Sequence, residues 1–304
     1  MSADTRQSRR SRQSGRTASR VVRNQGALLG ILFLSLLILL TTGARWMLPF
    51  DALTQDFTSL LQGPNRVHWF GTDELGRDIL ARVVIGARTS LITAGGSVAI
   101  AALIGVPIGL VAGFFGGWRD AVLMRCVDVL LSLPGILFAM AMIAVLGRSQ
   151  MAALIAVGIT GIPSFARITR AQVLSLRKRD FVTAVEALGG SSSYNMFRTV
   201  LPNCWSPILV QAVILSAVAI LIEASLAFLG IGIPPPTPSW GEMLRTGKSF
   251  LHDAPTYAIL PGLVLTLTIL SLDSIGRALG SALEDRHEQA VDGSPELKPE
   301  GRAA

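Results

Sequence analysis

The sequence predicts an all-α integral membrane protein with about six transmembrane helices. Its composition and the placement of its charges carry that prediction. Only 15% of the 304 residues are charged and 50% are hydrophobic, and the mean hydropathy is +0.52. A soluble domain carries about 25% charged residues. The charges also leave long gaps. No Asp, Glu, Lys or Arg lies between Arg23 and Arg45, Arg88 and Arg119, Arg148 and Arg167, or Asp253 and Asp273, and Glu186 to Glu223 holds only Arg198. A helix crossing a bilayer needs roughly 20 such apolar residues.

Taken in order, residues 1–24 form a basic arm of seven arginines opposed only by Asp4, with no apolar period. Such a segment is expected to be disordered. Residues 25–44 are the first span. Their apolar run is longer than that of a secretory signal, and Thr41-Thr42-Gly43-Ala44 is a weak cleavage site, so the span is expected to remain as an anchor. Residues 45–88 hold five arginines and five acids. Their second half is expected to be an interfacial helix capped by Asp73, with Asp73/Arg77 and Asp78/Arg82 as i,i+4 pairs and Ile79, Val83 and Gly86 on one face. Further spans are expected at 89–115, 121–147, 149–172, 203–231 and 255–280. Residues 232–254 contain Pro234-Pro235-Pro236 and Pro238 and cannot form one helix. Residues 287–304 are expected to be a disordered acidic tail.

Six spans place both termini on one side. The basic arm and the basic-rich segment 167–202 lie on that side, whereas 45–88 and 232–254 are each balanced in charge. The positive-inside rule therefore places both termini and the 173–202 loop in the cytoplasm. The net charge of +7 is concentrated in the arm. It is read as a topology signal and a contact for anionic lipid, with no nucleic-acid partner.

Several chemistries find no support. Cys126 and Cys204 have no metal-type spacing and are expected to be small buried apolar residues. His68, His252 and His287 are far apart and give no metal motif. Gly241-Glu-Met-Leu-Arg-Thr-Gly247-Lys248-Ser249 resembles a phosphate-binding loop, but it has five residues between the glycines and no preceding strand signal. No catalytic constellation is found. Among ionisable residues near the spans, Arg125/Asp128 and Asp273/Arg277 are expected to be local pairs. Glu223, near Ser225, is the candidate for a pore or subunit-interface position. Trp240 is expected in the interfacial aromatic belt, ahead of a contact with another protein.

The most informative stretch runs from Arg179 to Asn203. The spacing predicts a helix with Asp180 as its N-cap and Phe181, Val185 and Leu188 on one face, ended by Gly189-Gly190. A second helix, capped by Ser191–Ser193, runs to Pro202. This protrusion suits docking in a partner's groove, and an amphipathic loop resting on the membrane is the alternative.

The stretch resembles the cytoplasmic "EAA" loop of binding-protein-dependent ABC importer permeases through Ala184, Gly189, Leu201 and Pro202. Thr183 stands where that family carries Glu and Val185 where it carries the second Ala, and Glu186 is the acid one turn on. His68-Trp-Phe-Gly-Thr-Asp-Glu-Leu-Gly-Arg-Asp78 and Glu223-Ala-Ser-Leu-Ala-Phe-Leu-Gly-Ile-Gly232, followed by Pro235 to Gly241, resemble segments of the second permease subunit of dipeptide, oligopeptide and nickel importers. The resemblance covers residues 25–286. It implies a type I importer permease (MetI-like) fold, with a permease core over 89–286 and a cytoplasmic coupling helix in the loop 178–202. It further implies ATPase coupling through Asp180, Phe181, Ala184, Val185, Leu188, Gly189, Leu201 and Pro202. The implied partners are a homologous permease subunit, two ABC ATPases that bind ATP and magnesium, an extracytoplasmic solute-binding protein and membrane lipids. No cofactor is implied in this chain. Peptides lead as the solute class, with nickel chelates, glutathione and opine-like compounds as alternatives. The implied location is the bacterial inner membrane. A carrier or channel working without ATPases is the alternative function. It would require internal repeats or mid-membrane coupling groups, for which Glu223 is the one candidate.

Overall fold

The structure, a computed structural model, describes residues 24–47 and 51–292, with side chains over 24–44 and 51–283. The basic arm up to residue 23 and the tail from 293 lie outside the described residues. The regular structure among the described residues is helical, apart from a single isolated bridge, Thr72 with Asp78. In chain order the helices are α1 Gln25–Met47, α2 Ile79–Phe115, α3 Gly117–Ser132, α4 Gly135–Leu146, α5 Gln150–Leu176, α6 Asp180–Ala187, α7 Trp205–Phe228, α8 Trp240–Gly247 and α9 Thr256–Asp292. Five of them (α1, α2, α5, α7 and α9) are long and apolar enough to cross a membrane. The bent pair α3–α4 makes a sixth when counted as one span.

The most extensive helix contact among the described residues is between α2 and α5. Gly105, Gly109 and Gly113 recur every four residues on one face of α2. A Cβ on Gly109 would lie 2.2 Å from the Ala166 carbonyl oxygen and 2.8 Å from Thr169 Cβ; one on Gly105 would lie 2.6 Å from the Ile162 oxygen. Gly158 and Gly161 of α5 reciprocate against Ile100 and Ala101. Helices in lipid gain no hydrophobic drive to associate, so small residues that let backbones approach supply the packing. Around this pair, α9 lies against α7 and α1, where Gly30 of α1 abuts the Ser271 backbone.

Several sequence expectations need correction. The segment expected as an interfacial helix is the opening of α2, which runs unbroken from Ile79. Ile79, Val83 and Gly86 do share a face, but it is buried. Its cap is Asp78, which accepts from the Ala81 amide at 2.8 Å. Asp73 closes the preceding turn, accepting from the Leu75 and Arg77 amides. The Asp73/Arg77 pair forms at 2.6 Å. In place of an Asp78/Arg82 pair, Asp78 meets His68 at 2.9 Å and Arg82 meets Asp73 at 3.2 Å. Both partners lie earlier in the same segment, where the chain before α2 folds back on it.

The span expected at 121–147 bends by 88° between α3 and α4. Pro134 lacks an amide hydrogen and drives the residue before it out of helical geometry; Leu133 accordingly sits at φ −98°, ψ 133°. Asp128 bonds Arg167 of α5 at 2.8 Å instead of Arg125. Asp120 takes both Nε and Nη2 of Arg170 at 2.6 Å, so two ion pairs fasten α3 to α5. Asp273 and Arg277 pair at 2.5 Å as expected. Cys204 is buried, but Cys126 is exposed. The helix α9 continues to Asp292, into the segment expected to be a disordered tail.

Overpacking a tight contact typically costs about 1–3 kcal/mol, and backbone leaves less room to relax than side chains do. We expect Gly109→Leu to lower the thermal stability of the detergent-solubilised protein sharply. Gly95→Leu, where nothing lies within 4 Å of the added Cβ, should melt within a few degrees of the parent, as read by a thermal-shift assay.

Candidate functional site

The segment after α5 folds into a compact hairpin. Arg179, extended at φ −86°, ψ 141°, takes the N-cap position of α6 that the sequence assigned to Asp180. Asp180 lies in the first turn, where a carboxylate complements the helix dipole. Gly189, at φ +79°, ends α6. Its amide bonds the Glu186 carbonyl and that of Gly190 bonds the Val185 carbonyl, the paired closure that favours glycine after a helix. Ser191 then caps the return arm, accepting from the Tyr194 amide at 3.2 Å. That arm comprises one α-turn at Ser192–Tyr194, a π-helical stretch Asn195–Val200 and a 3-10 turn Leu201–Asn203.

One face of the hairpin is fastened down. Val182, Met196, Val200 and Cys204 are buried in a cluster with Leu110 and Phe114 of α2, Phe165 and Val173 of α5 and Ile208 of α7. Burial pushes the Cys204 thiol up to about 11. Asn195 is fully buried. Its Nδ2 donates to the Val182 carbonyl at 3.2 Å and to Glu186 Oε1 at 3.3 Å, joining the two arms. Glu186 thereby serves the hairpin itself. Thr183, exposed, donates to the Asp180 carbonyl at 2.9 Å.

The opposite face has no cover within the described chain. Leu188 is 88% exposed, Phe181 44%, Tyr194 56% and Phe197 53%. Ala184 and Pro202 are also exposed, while Val185 and Leu201 are half-buried. The sequence reading found Phe181 and Leu188 but missed Val182 and Asn195, which hold them out. Val182 was legible as the apolar residue on the other side of α6. The role of Asn195 depends on the π-helical stretch, which leaves no periodic signal.

At the far end of the helices, residues 51–72 fold over the start of α2. The Leu61 amide bonds the Asp73 carbonyl, and the Thr72 amide bonds the Gln62 carbonyl. Asp73 receives both Arg77 and Arg82, and Arg82 reaches on to Glu242 of α8 at 3.3 Å. All four side chains are buried. Trp240 is fully buried and donates from Nε1 to the Val83 carbonyl at 3.0 Å. It is therefore neither a belt residue nor a surface contact, as the sequence reading had it. Its helix α8 packs against α7 and α9 and against α2, the last remote in sequence. Glu223, the candidate for a pore or interface position, is also buried within the chain, where Ser90 Oγ donates to its Oε2 at 2.9 Å. Half-buried Ser225 bonds the Leu221 carbonyl of its own helix.

Residues 105–285 match the family model described as binding-protein-dependent transport system inner membrane component. The chain belongs to this family. It is a membrane permease subunit of the ABC importer class, and membership implies a binding protein and an ATPase as partners. The permease is 40% identical over 274 residues to a di/tripeptide transport system permease protein of Pseudomonas aeruginosa, an alignment covering 88% of this chain and 90% of the relative. It is 38% identical over 268 residues to a glutathione transport system permease protein of Pectobacterium atrosepticum, covering 88% and 89%. A solved structure of the MetNI methionine ABC transporter in inward-facing form superposes with a TM-score of 0.54 at 17% identity. That superposition covers 66% of the permease and 97% of the solved chain, and agrees with the type I fold that the sequence resemblance implied.

Removing one partner from a buried ion pair typically costs about 3–5 kcal/mol. We expect Arg82→Ala to destabilise the permease on that scale, read as a lowered melting temperature. The double change Arg82→Ala, Glu242→Gln, which neutralises the α8 partner and leaves Asp73 paired with Arg77, should restore part of it.

Proposed function

We propose that this permease forms half of the translocation pathway of an ATP-driven importer of di- and oligopeptides. A homologous permease subunit encloses the other half. Two ATPase subunits, holding ATP and magnesium, dock on the α6 hairpin, and an extracytoplasmic binding protein delivers the solute. Both termini and the hairpin face the cytoplasm, and residues 51–72 with α8 face outward. The di/tripeptide and glutathione transport relatives each match 88% of the chain, and the first supports the solute class. The single observation carrying the coupling reading is the uncovered apolar face of a hairpin whose other face is bolted to α2, α5 and α7. Nucleotide-driven closure of the ATPases would then move those helices as rigid bodies. Thr183 replaces the family's Glu and Glu186 is engaged by Asn195, so the contact rests on Phe181 and Leu188 more than on a carboxylate.

Substitution at an exposed site away from special features usually changes stability by less than about 0.5 kcal/mol. We expect Leu188→Asp to leave the permease folded, while co-purification of the ATPase subunits and ATP-driven peptide uptake each fall by about tenfold or more. ATPases retained at parental levels with normal uptake would contradict the docking role.

A further inference from the structure

Where α3 breaks into α4, a cavity of about 230 Å³ opens between the break, α5 and α7. Its walls include Leu133, Gly135, Phe138, Ser97, Thr160 and Leu215. Thr160, Ser97 and Leu215 lie well inside their helices, so the cavity sits deep within the membrane-crossing layer. Resting on the importer reading above, we propose that it is a solute contact site of this subunit. It would receive one apolar side chain of the transported peptide.

The break argues against a lipid occupant. Helix α4 starts at Pro134 without a side-chain cap. Its first turn leaves the amides of Gly135, Ile136 and Leu137 without helical carbonyl partners. Leu133 and Leu137 are exposed and Gly135 is half-buried, so the break lies at the surface of the isolated chain. Irregular backbone at membrane depth is tolerated only where protein buries it or a water-filled cavity meets it. This face of the permease therefore turns away from lipid, toward the partner subunit and the pathway the two enclose. Size then sets the occupant. A cavity of about 150 Å³ holds a benzene molecule, and sites for whole drug-sized ligands run about 300–1,000 Å³. The cavity here fits an aromatic or branched side chain and is too small for a whole oligopeptide. Its lining is mainly apolar, and Ser97 and Thr160 donate to backbone carbonyls, Leu154 at 2.9 Å and Val157 at 2.7 Å.

The test reconstitutes the complete importer with its binding protein and measures competing uptake of Phe-Phe, Trp-Trp and Ala-Ala dipeptides. A Cβ added at Gly135 meets only Thr160, at 3.7 Å, so Gly135→Leu fills the cavity without moving backbone. Uptake of Phe-Phe relative to Ala-Ala should fall by about tenfold, the scale on which an apolar pocket discriminates side-chain size. Phe138→Ala widens the cavity and should raise Trp-Trp relative to Phe-Phe. The ratios are internal to each preparation, so a lower yield of active complex does not move them. Unchanged ratios in both variants, while the parent imports the dipeptides, overturn the contact site alone and assign the cavity to the partner subunit or to lipid. A parent importer that moves none of the three overturns the peptide reading and the contact site together.

Discussion

The architecture depends on the backbone-to-backbone approach of α2 and α5. Gly105 and Gly109 on one side, and the Ile162 and Ala166 carbonyls on the other, leave no room for a side chain between the helices. Two helices this close behave as one body. The α6 hairpin is packed at one end of that body through Val182 and Phe114. The cap of residues 51–72 with α8 is packed at the other through Asp73, Arg82 and Glu242. A force on the hairpin therefore has a stiff route along the full length of the helices. The α3–α4 pair, tied to α5 by Asp120–Arg170 and Asp128–Arg167, is carried along with it.

The second constraint is that charge near a bilayer needs a partner. The balanced arginines of the 45–88 segment illustrate it. Arg77 and Arg82 are buried, yet each is paired, and Arg82 uses Glu242, 160 residues away in sequence. The network closes the far end of the bundle without leaving an isolated charge in a poorly hydrated place. Glu223 follows the same logic with a hydroxyl partner, Ser90. This bond holds one oxygen of its carboxyl within the chain.

The existence of the spans and of the α6 hairpin was legible because each leaves a local signal: charge-free runs about as long as a bilayer, and an apolar face ended by Gly189-Gly190. What was illegible was partnership across distance. Asp78 faces His68 and not Arg82 because the loop before α2 folds back. Trp240 reads as a belt residue by type, but is buried and bonded to the Val83 carbonyl, 157 residues away. The bend at Pro134 was visible as a proline in an apolar run, but its 88° angle reflects how α4 packs against α5. Asn195 was invisible because the π-helical stretch shifts the side chains out of the periodicity that a sequence reading uses.

The central claim is that the α6 hairpin projects into the cytoplasm and seats in an ATPase. It is tested most directly by placing a single reactive thiol at its tip, Leu188→Cys in a Cys126→Ser background, and labelling with a membrane-impermeant maleimide. The account predicts rapid labelling in inside-out vesicles stripped of ATPase, protection when the ATPase subunits are restored, and no labelling in sealed right-side-out vesicles. Labelling confined to right-side-out vesicles, or labelling in inside-out vesicles that the ATPase leaves unchanged, would contradict it.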